Sequence, residues 1–247
     1  MGLKALIPVR SGSERVKNKN IRPFAGSSLL EIKIRQLKRI QALGLIDGVV
    51  VNSNCEKMLA IADALGAETI KRDDYFATSE ISPNELYVNM ASKIVSKHIL
   101  IAHVTSPLIS DLTISRCISI YKNQYHYDSV ATSESIKKFL WLNNESLNYD
   151  KSAKPRSQDL PPVIAINHAI NILPRETMIL NKDIIGYSPY FYTIEQQEAM
   201  DIDTEMDFEI AEFLFNKYRG GGGGIKCFSY SAKIYSQKLI LLYGAIL

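Results

Sequence analysis

The sequence predicts an α/β protein on a Rossmann-like, mainly parallel sheet with helices on both faces, and three observations predict it. Short β-branched runs alternate with amphipathic helical stretches through the first 135 residues, the rhythm of parallel strands joined by crossover helices. A loop of small and cationic residues follows the first apolar run directly, at the place where open α/β sheets bind their ligands. With 247 residues, 46% of them apolar, the chain can bury the core that such a sheet needs.

Residues 3–9 read as the first strand. After the polar loop, Ser28 and Glu31 form an S-x-x-E capping box that opens a helix carrying Leu30, Ile34 and Leu37 on one face. Residues 48–51 form the second strand. A helix over 56–65 stops at Gly66, because glycine takes the left-handed conformation without steric cost. Residues 69–71 form the third strand, a helix begins near Pro83, and 99–104 form the fourth strand. Another helix follows Asp111, and 129–131 read as a fifth strand. From about residue 136 the rhythm changes to strand-like pieces at 139–142 and 163–173, separated by a polar, proline-bearing loop at 152–162. This predicts an inserted β-rich lobe over about 136–186. The alternating segment 187–194 follows, then a last helix opened by Thr204 and Asp207 with Phe208, Ala211 and Phe215 on one face. These elements place residues 1–219 in one domain.

Beyond Arg219 stand five glycines, 220–224, and an apolar, tyrosine-rich tail to 247. Such a run predicts a flexible tether spanning about 12 Å by random-coil scaling. Written in DNA as a guanine homopolymer, it would also be a place where slippage changes the reading frame; mixed glycine codons at 220–224 would sink that idea.

Composition excludes several classes. The net charge of +3 comes from interleaved acidic and basic residues, with no basic arm or aromatic-rich basic patch for nucleic acid. Cys55, Cys117 and Cys227 are odd in number and lack metal-finger spacing, which predicts free thiols in a reducing compartment. No apolar run reaches the ~18–20 residues that span a membrane. The expectation is a cytoplasmic protein with a small anionic ligand.

The chemistry concentrates in two stretches. Between Pro8 and Asn20, the small residues Ser11, Gly12 and Ser13 let backbone N–H groups approach phosphate oxygens, and Arg10, Arg15, Lys17 and Lys19 supply positive charge. The loop is neither G-x-G-x-x-G nor G-x-x-x-x-G-K-[ST], so it suggests neither a dinucleotide nor a standard NTPase. On composition alone it is equally a solvated basic loop. In the second stretch, Asp201 and Asp203 alternate around Ile202 just before a helix cap, which puts both carboxylates on one side of an extended segment. Mg²⁺ is held by such pairs together with substrate phosphates. Carboxylates ahead of a helix also serve as mere caps.

Taken together, these stretches resemble the acylneuraminate cytidylyltransferases, the CMP-sialic acid synthetases. Residues 7–20 resemble the family signature I-P-A-R-x-G-S-K-R-x-x-x-K-N, and Ile202-Asp203-Thr204 resembles its I-D-T-x-x-D ending. Residues 104–108 are similar to P-T-S-P-L, 155–161 to R-R-Q-x-L-P, and 167–170 to N-G-A-I. The resemblance runs in order from about residue 3 to 216 and takes in a legionaminate or pseudaminate branch.

It implies transfer of CMP from CTP to the anomeric hydroxyl of a 2-keto-3-deoxy sugar acid, a sialic-acid-like nonulosonate, by a homodimer whose inserted lobe reaches the partner. Arg10 and Lys19 would hold the triphosphate, Ser13 and Asn20 would contact the nucleotide, and Arg72 and Ser82 would lie on the cytidine side. His103, Arg156, Gln158 and Asn167 would meet the sugar, and Asp201 and Asp203 would ligate Mg²⁺. Four positions depart from the family pattern: Glu14 for lysine, His103 for glutamine, Ile109 for arginine and Asn171 for tyrosine. They bear on the phosphate loop and partly on the sugar side. The rival readings are a metal-dependent glycosyltransferase using D-x-D and a catalytically impaired nucleotide-binding homologue.

Overall fold

The structure, a computed structural model, describes residues 2–13, 15–123 and 126–219. Glu14, Cys227 and the tether and tail at 220–247 lie outside the described residues. Strand β1 (Leu3–Pro8) leads through the cation-rich loop to helix α1 (Leu29–Ala42), then β2 (Gly48–Ser53), α2 (Glu56–Ala64) and β3 (Glu68–Lys71). Helix α3 (Pro83–Lys93), β4 (His98–Ala102), α4 (Asp111–Asn123) and β5 (Ser129–Ile136) follow. Two short strands, β6 (Trp141–Leu142) and β7 (Glu145–Ser146), precede β8 (Val163–Pro174), α5 (Arg175–Asn181), β9 (Pro189–Thr193) and α6 (Glu205–Arg219).

The main sheet has seven strands in the order β3-β2-β1-β4-β8-β5-β9. Only β8 runs antiparallel to its neighbours β4 and β5. The chain therefore winds outward from β1 to β3 and returns to the other side of β1 at β4, leaving a topological switch point at the carboxyl ends of β1 and β4.

Strand alternation sets the two cores. Ala5, Ile7, Val49, Val51, Leu100 and Ala102 face one way, into a cluster that includes Ile34 and Leu37 of α1, Ile114 and Cys117 of α4, and Phe208 of α6. Leu6, Val50, Ile99 and Ile101 face the other way, onto Met90 of α3 and Met178 of α5. The capping box forms as read: Ser28 Oγ accepts from the amide of Glu31 and donates to its carboxylate. Cys55 and Cys117 are free thiols, and burial pushes the Cys117 thiol up to about 12.

One expectation is revised in detail. The strand read at 163–173 as part of an inserted lobe is a strand of the main sheet, between β4 and β5. Its outer residues, Val163 to Ile166, pair with Ile136 to Ser133, while Ile170 to Pro174 fill the gap beside β4. β5 stays its neighbour along both halves, with a register shift between Ala131 and Ser133 near the left-handed His168 at φ +56°, and β4 joins only along the inner half. The outer half alternates in exposure while Ala169 to Leu173 are buried, so one strand serves two environments.

Candidate active site

The cation-rich loop is built from the core outward. Val16 is 1% exposed and anchors it, Gly12 takes φ +83°, and Asn20, buried at the loop's end, donates Nδ2 to the Arg10 carbonyl at 3.0 Å. Arg10 in turn donates Nη1 to the Ala77 carbonyl at 2.6 Å. The Asn20 carbonyl accepts from the Leu30 amide at 3.0 Å, tying the loop to the start of α1. The result is a cleft of about 450 Å³ at the switch point, with Arg10, Ser13, Arg15, Lys19, Asn20 and His103 on its wall. A larger depression of about 730 Å³ lies at the opposite end of the sheet, beside Gly2, Lys97 and Arg175. The chemistry belongs to the smaller cleft, because ligands of open α/β sheets bind beyond the carboxyl ends of the strands.

The acidic pair reaches this cleft through Ile202. That residue's side chain is fully buried, its N–H donates to the Thr105 carbonyl at 2.9 Å, and its carbonyl accepts from Lys19 Nζ at 2.5 Å. Three ties on the middle residue leave the carboxylates of Asp201 and Asp203 on either side facing the loop cations. Arg15 Nη2 lies 2.9 Å from Asp203 Oδ1. Asp207 belongs to the cap: one of its oxygens accepts from the amides of Asp203 and Thr204 and from the Thr204 hydroxyl, and these bonds hold its carboxyl below the usual range. Lys19 is lowered from its ordinary value because burial outweighs the attraction of Asp201 and Asp203.

Other sequence-assigned residues fall in distinct places. Arg72 follows β3 and is 2% exposed, with Nε on Asn52 Oδ1 at 2.6 Å and Nη2 on the Asn52 carbonyl at 3.1 Å. Burial, then the charge of Arg10, pulls its guanidinium down to about 10, so it stays charged at neutral pH. Ser82 caps α3, its Oγ accepting from the Glu85 amide. Asn167 turns Oδ1 to the Ala169 amide at 3.2 Å, while its Nδ2 is buried without a partner among the described residues. Arg156 lies in the exposed 157–159 turn region, with Nε on Asp159 Oδ2 at 2.7 Å; neither it nor Gln158 is on the cleft wall. Sequence reasoning missed Asn52, which orients Arg72, and Lys33 and Gln36, which sit on the apolar stripe of α1 yet are fully buried. Two polar side chains on an apolar stripe were the available signal.

His103 has Nε2 buried and unpartnered among the described residues. Desolvation, reinforced by His168, Lys33 and Lys19, pulls its imidazole down to about 4. The ring is therefore neutral at physiological pH, an uncharged hydrogen-bonding group in the cleft. As pH falls below the ordinary 6.5, the unfolded chain takes up this proton and the folded chain does not, so stability is lost between 6.5 and about 4. The expected loss by pH 5 is about 2 kcal/mol. Urea unfolding at pH 7.5 and 5.0 checks it: His103→Gln should lose less than the parent chain, and equal losses would contradict the assignment.

Comparison with known proteins agrees with this geometry. The family model for cytidylyltransferases matches residues 4–244. The chain is 26% identical over 222 residues to the pseudaminic acid cytidylyltransferase of Campylobacter jejuni, covering 85% of this chain and 94% of the relative. It is 26% identical over 219 residues to the N-acylneuraminate cytidylyltransferase of Escherichia coli, where the match covers 84% of this chain and half (50%) of the relative. Among solved structures, the CMP:2-keto-3-deoxy-manno-octonic acid synthetase complexed with CTP superposes at a TM-score of 0.64, with 13% identity over 88% of this chain and 99% of that one. At that identity the likeness shows the fold.

Proposed function

We infer the reaction from family and site together: the chain belongs to the cytidylyltransferase family, and it transfers CMP from CTP to the anomeric hydroxyl of a nonulosonate, releasing pyrophosphate. The observation that carries this reading is the meeting of Lys19 with Ile202 at 2.5 Å, which sets the phosphate-binding loop against the acidic pair.

The sugar hydroxyl attacks the α-phosphorus in line with the departing pyrophosphate. Little covalent chemistry falls to the protein, so catalysis is positioning and charge stabilisation. Arg10 and Lys19 take the charge that grows on the leaving group, Ser13 and Asn20 shape the loop around the nucleotide, and Arg72 beside Asn52 and the capped start of α3 at Ser82 stand on the cytidine side. Neutral His103 and the buried amide of Asn167 offer hydrogen bonds to the sugar.

The acidic pair fits Mg²⁺. Arg15 already places a cation at 2.9 Å from Asp203. Among the described residues no three or more His, Cys, Asp or Glu side chains gather into a metal site, so an ion here draws its other ligands from phosphate and water, as magnesium does. When bound, the ion neutralises phosphate oxygens and lowers the pKa of the attacking hydroxyl.

The assembly proposed is a homodimer. Trp141, Leu142, Leu147, Ile164 and Ile166 are exposed on the lobe, and a shared interface would cover them. Across it, Arg156 and Gln158 serve the sugar site of the partner, which accounts for their distance from the cleft of their own chain. The reaction belongs in the cytoplasm, and no described helix is long and apolar enough to cross a membrane.

Pyrophosphate release from CTP, measured with a panel of nonulosonates, tests the reading. Release only when a nonulosonate is present supports it, whereas CTP binding without release for any acceptor would leave a nucleotide-binding homologue. The division of labour has its own check. Arg156→Ala should raise KM for the sugar acid about 10- to 100-fold, the value of a charge-assisted contact to carboxylate, and leave KM for CTP unchanged. A rise for CTP alone would refute it.

A further inference from the structure

We propose that Lys33 is a positioning residue for segment 201–203: from inside α1 its ammonium holds the loop after β4 at the place from which Thr105 fixes Ile202. The proposal rests on the metal-binding reading of Asp201 and Asp203 given above.

Lys33 is fully buried on the stripe that carries Leu30, Ile34 and Leu37. An ammonium is an expensive group to bury, and a methionine of similar length would fill the space at less cost. Its Nζ donates to the Ser106 carbonyl at 3.1 Å and to Gln36 Oε1 at 3.0 Å. Gln36 passes the tie along, donating Nε2 to the Ile109 carbonyl at 2.8 Å and to Asp111 Oδ1 at 3.0 Å. Arg39 closes the row with a fork onto Asp111 at 2.7 and 3.0 Å. Residues 33, 36 and 39 of one helix thus grip the loop from Ser106 to Asp111.

That loop lies beyond the end of β4 and has no ladder of its own. Its Ser106 and Ile109 are 1% and 0% exposed, so their carbonyls need partners inside the protein. From the far side, Glu198 accepts from the Ser110 amide at 3.0 Å and the Thr113 hydroxyl at 2.5 Å. Held on both sides, the loop presents the Thr105 carbonyl, one residue before the Lys33 contact, to the Ile202 amide at 2.9 Å. Lys19 grips the carbonyl of the same residue. The angle at which the two carboxylates face the phosphate loop is therefore set by two lysines, one at the cleft and one behind it.

A strut that only stabilises the fold would act globally, whereas a positioning residue acts at Ile202. The test is hydrogen exchange of the Ile202 amide in the full chain, with Mn²⁺ binding to the CTP-loaded protein followed by electron paramagnetic resonance. In Lys33→Met the Ile202 amide should exchange at least ten-fold faster, while amides of β1 and β2 keep their parent rates. Mn²⁺ affinity should fall about ten-fold, and Lys33→Arg should restore part of it. Unchanged Ile202 exchange in a folded Lys33→Met chain overturns the proposal, as does a uniform rise in exchange across the sheet. Should Lys33→Met not fold, Gln36→Leu must show the same local release, and its absence there is equally decisive against the idea. Exchange needs no substrate, so a chain that fails to turn over CTP would sink the functional reading and still test the strut.

Discussion

Asp203→Ala is expected to cut turnover on the order of 10²- to 10³-fold, the loss seen when one preorganised charge contact to a transition state is removed, with the protein still folded. The side chain is 50% exposed and its ion pair with Arg15 is a surface one, which contributes little to stability. On the proposed reading it supplies a metal ligand at a fixed place, because Ile202 beside it is tied at both backbone atoms and at its side chain. The effect should fall on kcat and on the half-saturating Mg²⁺ concentration more than on KM for CTP. Asp201→Ala should behave alike. Asp207→Ala separates the roles: it removes a cap bonded to the amides of Asp203 and Thr204 and to the Thr204 hydroxyl, should cost about 1 kcal/mol of stability, and should lower the metal response far less than Asp203→Ala does. Near-normal pyrophosphate release by folded Asp203→Ala at limiting Mg²⁺ would show that the metal assignment is wrong.

Much of this arrangement was legible in the sequence for local reasons. Strands β1, β2 and β4 each carry their own apolar run, and a strand end followed by small and cationic residues places a ligand loop without knowledge of the rest of the sheet. Arg72 was singled out only by the family resemblance, which matches an arginine after the third strand, and the structure buries it against Asn52. The insertion of β8 between β4 and β5 was not legible. Its inner half is a buried stretch, apolar except for Asn171, and nothing local tells such a strand which neighbours to take. The meeting of Thr105 with Ile202 depends on chain segments far apart in sequence, so spacing carried no trace of it. Lys33 and Gln36 announced themselves only as misfits on an apolar stripe, which says that a polar partner exists and not where it lies. For Arg156, the residue type and motif pointed to the sugar while the fold puts it off the cleft wall, a conflict that the proposed second subunit would resolve.

Lys19→Met is expected to lower kcat/KM for CTP on the order of 10²-fold, because one side chain performs two tasks. On the proposed reading it neutralises phosphate charge, and a hydrogen bond to a charged group contributes about 1.5–3 kcal/mol, or roughly 10- to 100-fold. It also donates to the Ile202 carbonyl at 2.5 Å, so its loss loosens the mount of both carboxylates. Burial lowers its pKa from 10.5 against the opposing pull of Asp201 and Asp203. Raising the pH therefore strips the proton from free enzyme sooner than from an ordinary lysine, and CTP, bringing negative charge to the same place, favours its return. The alkaline limb of kcat/KM, which reports the free enzyme, should lie below 10.5 in the parent chain and shift upward in Lys19→Arg, whose guanidinium keeps its charge. Lys19→Arg should recover part of the lost rate at neutral pH, though its planar fork cannot reproduce a single donor aimed at Ile202. A parent and a Lys19→Arg enzyme with superimposable alkaline limbs would show that the proton on Lys19 does not govern CTP capture.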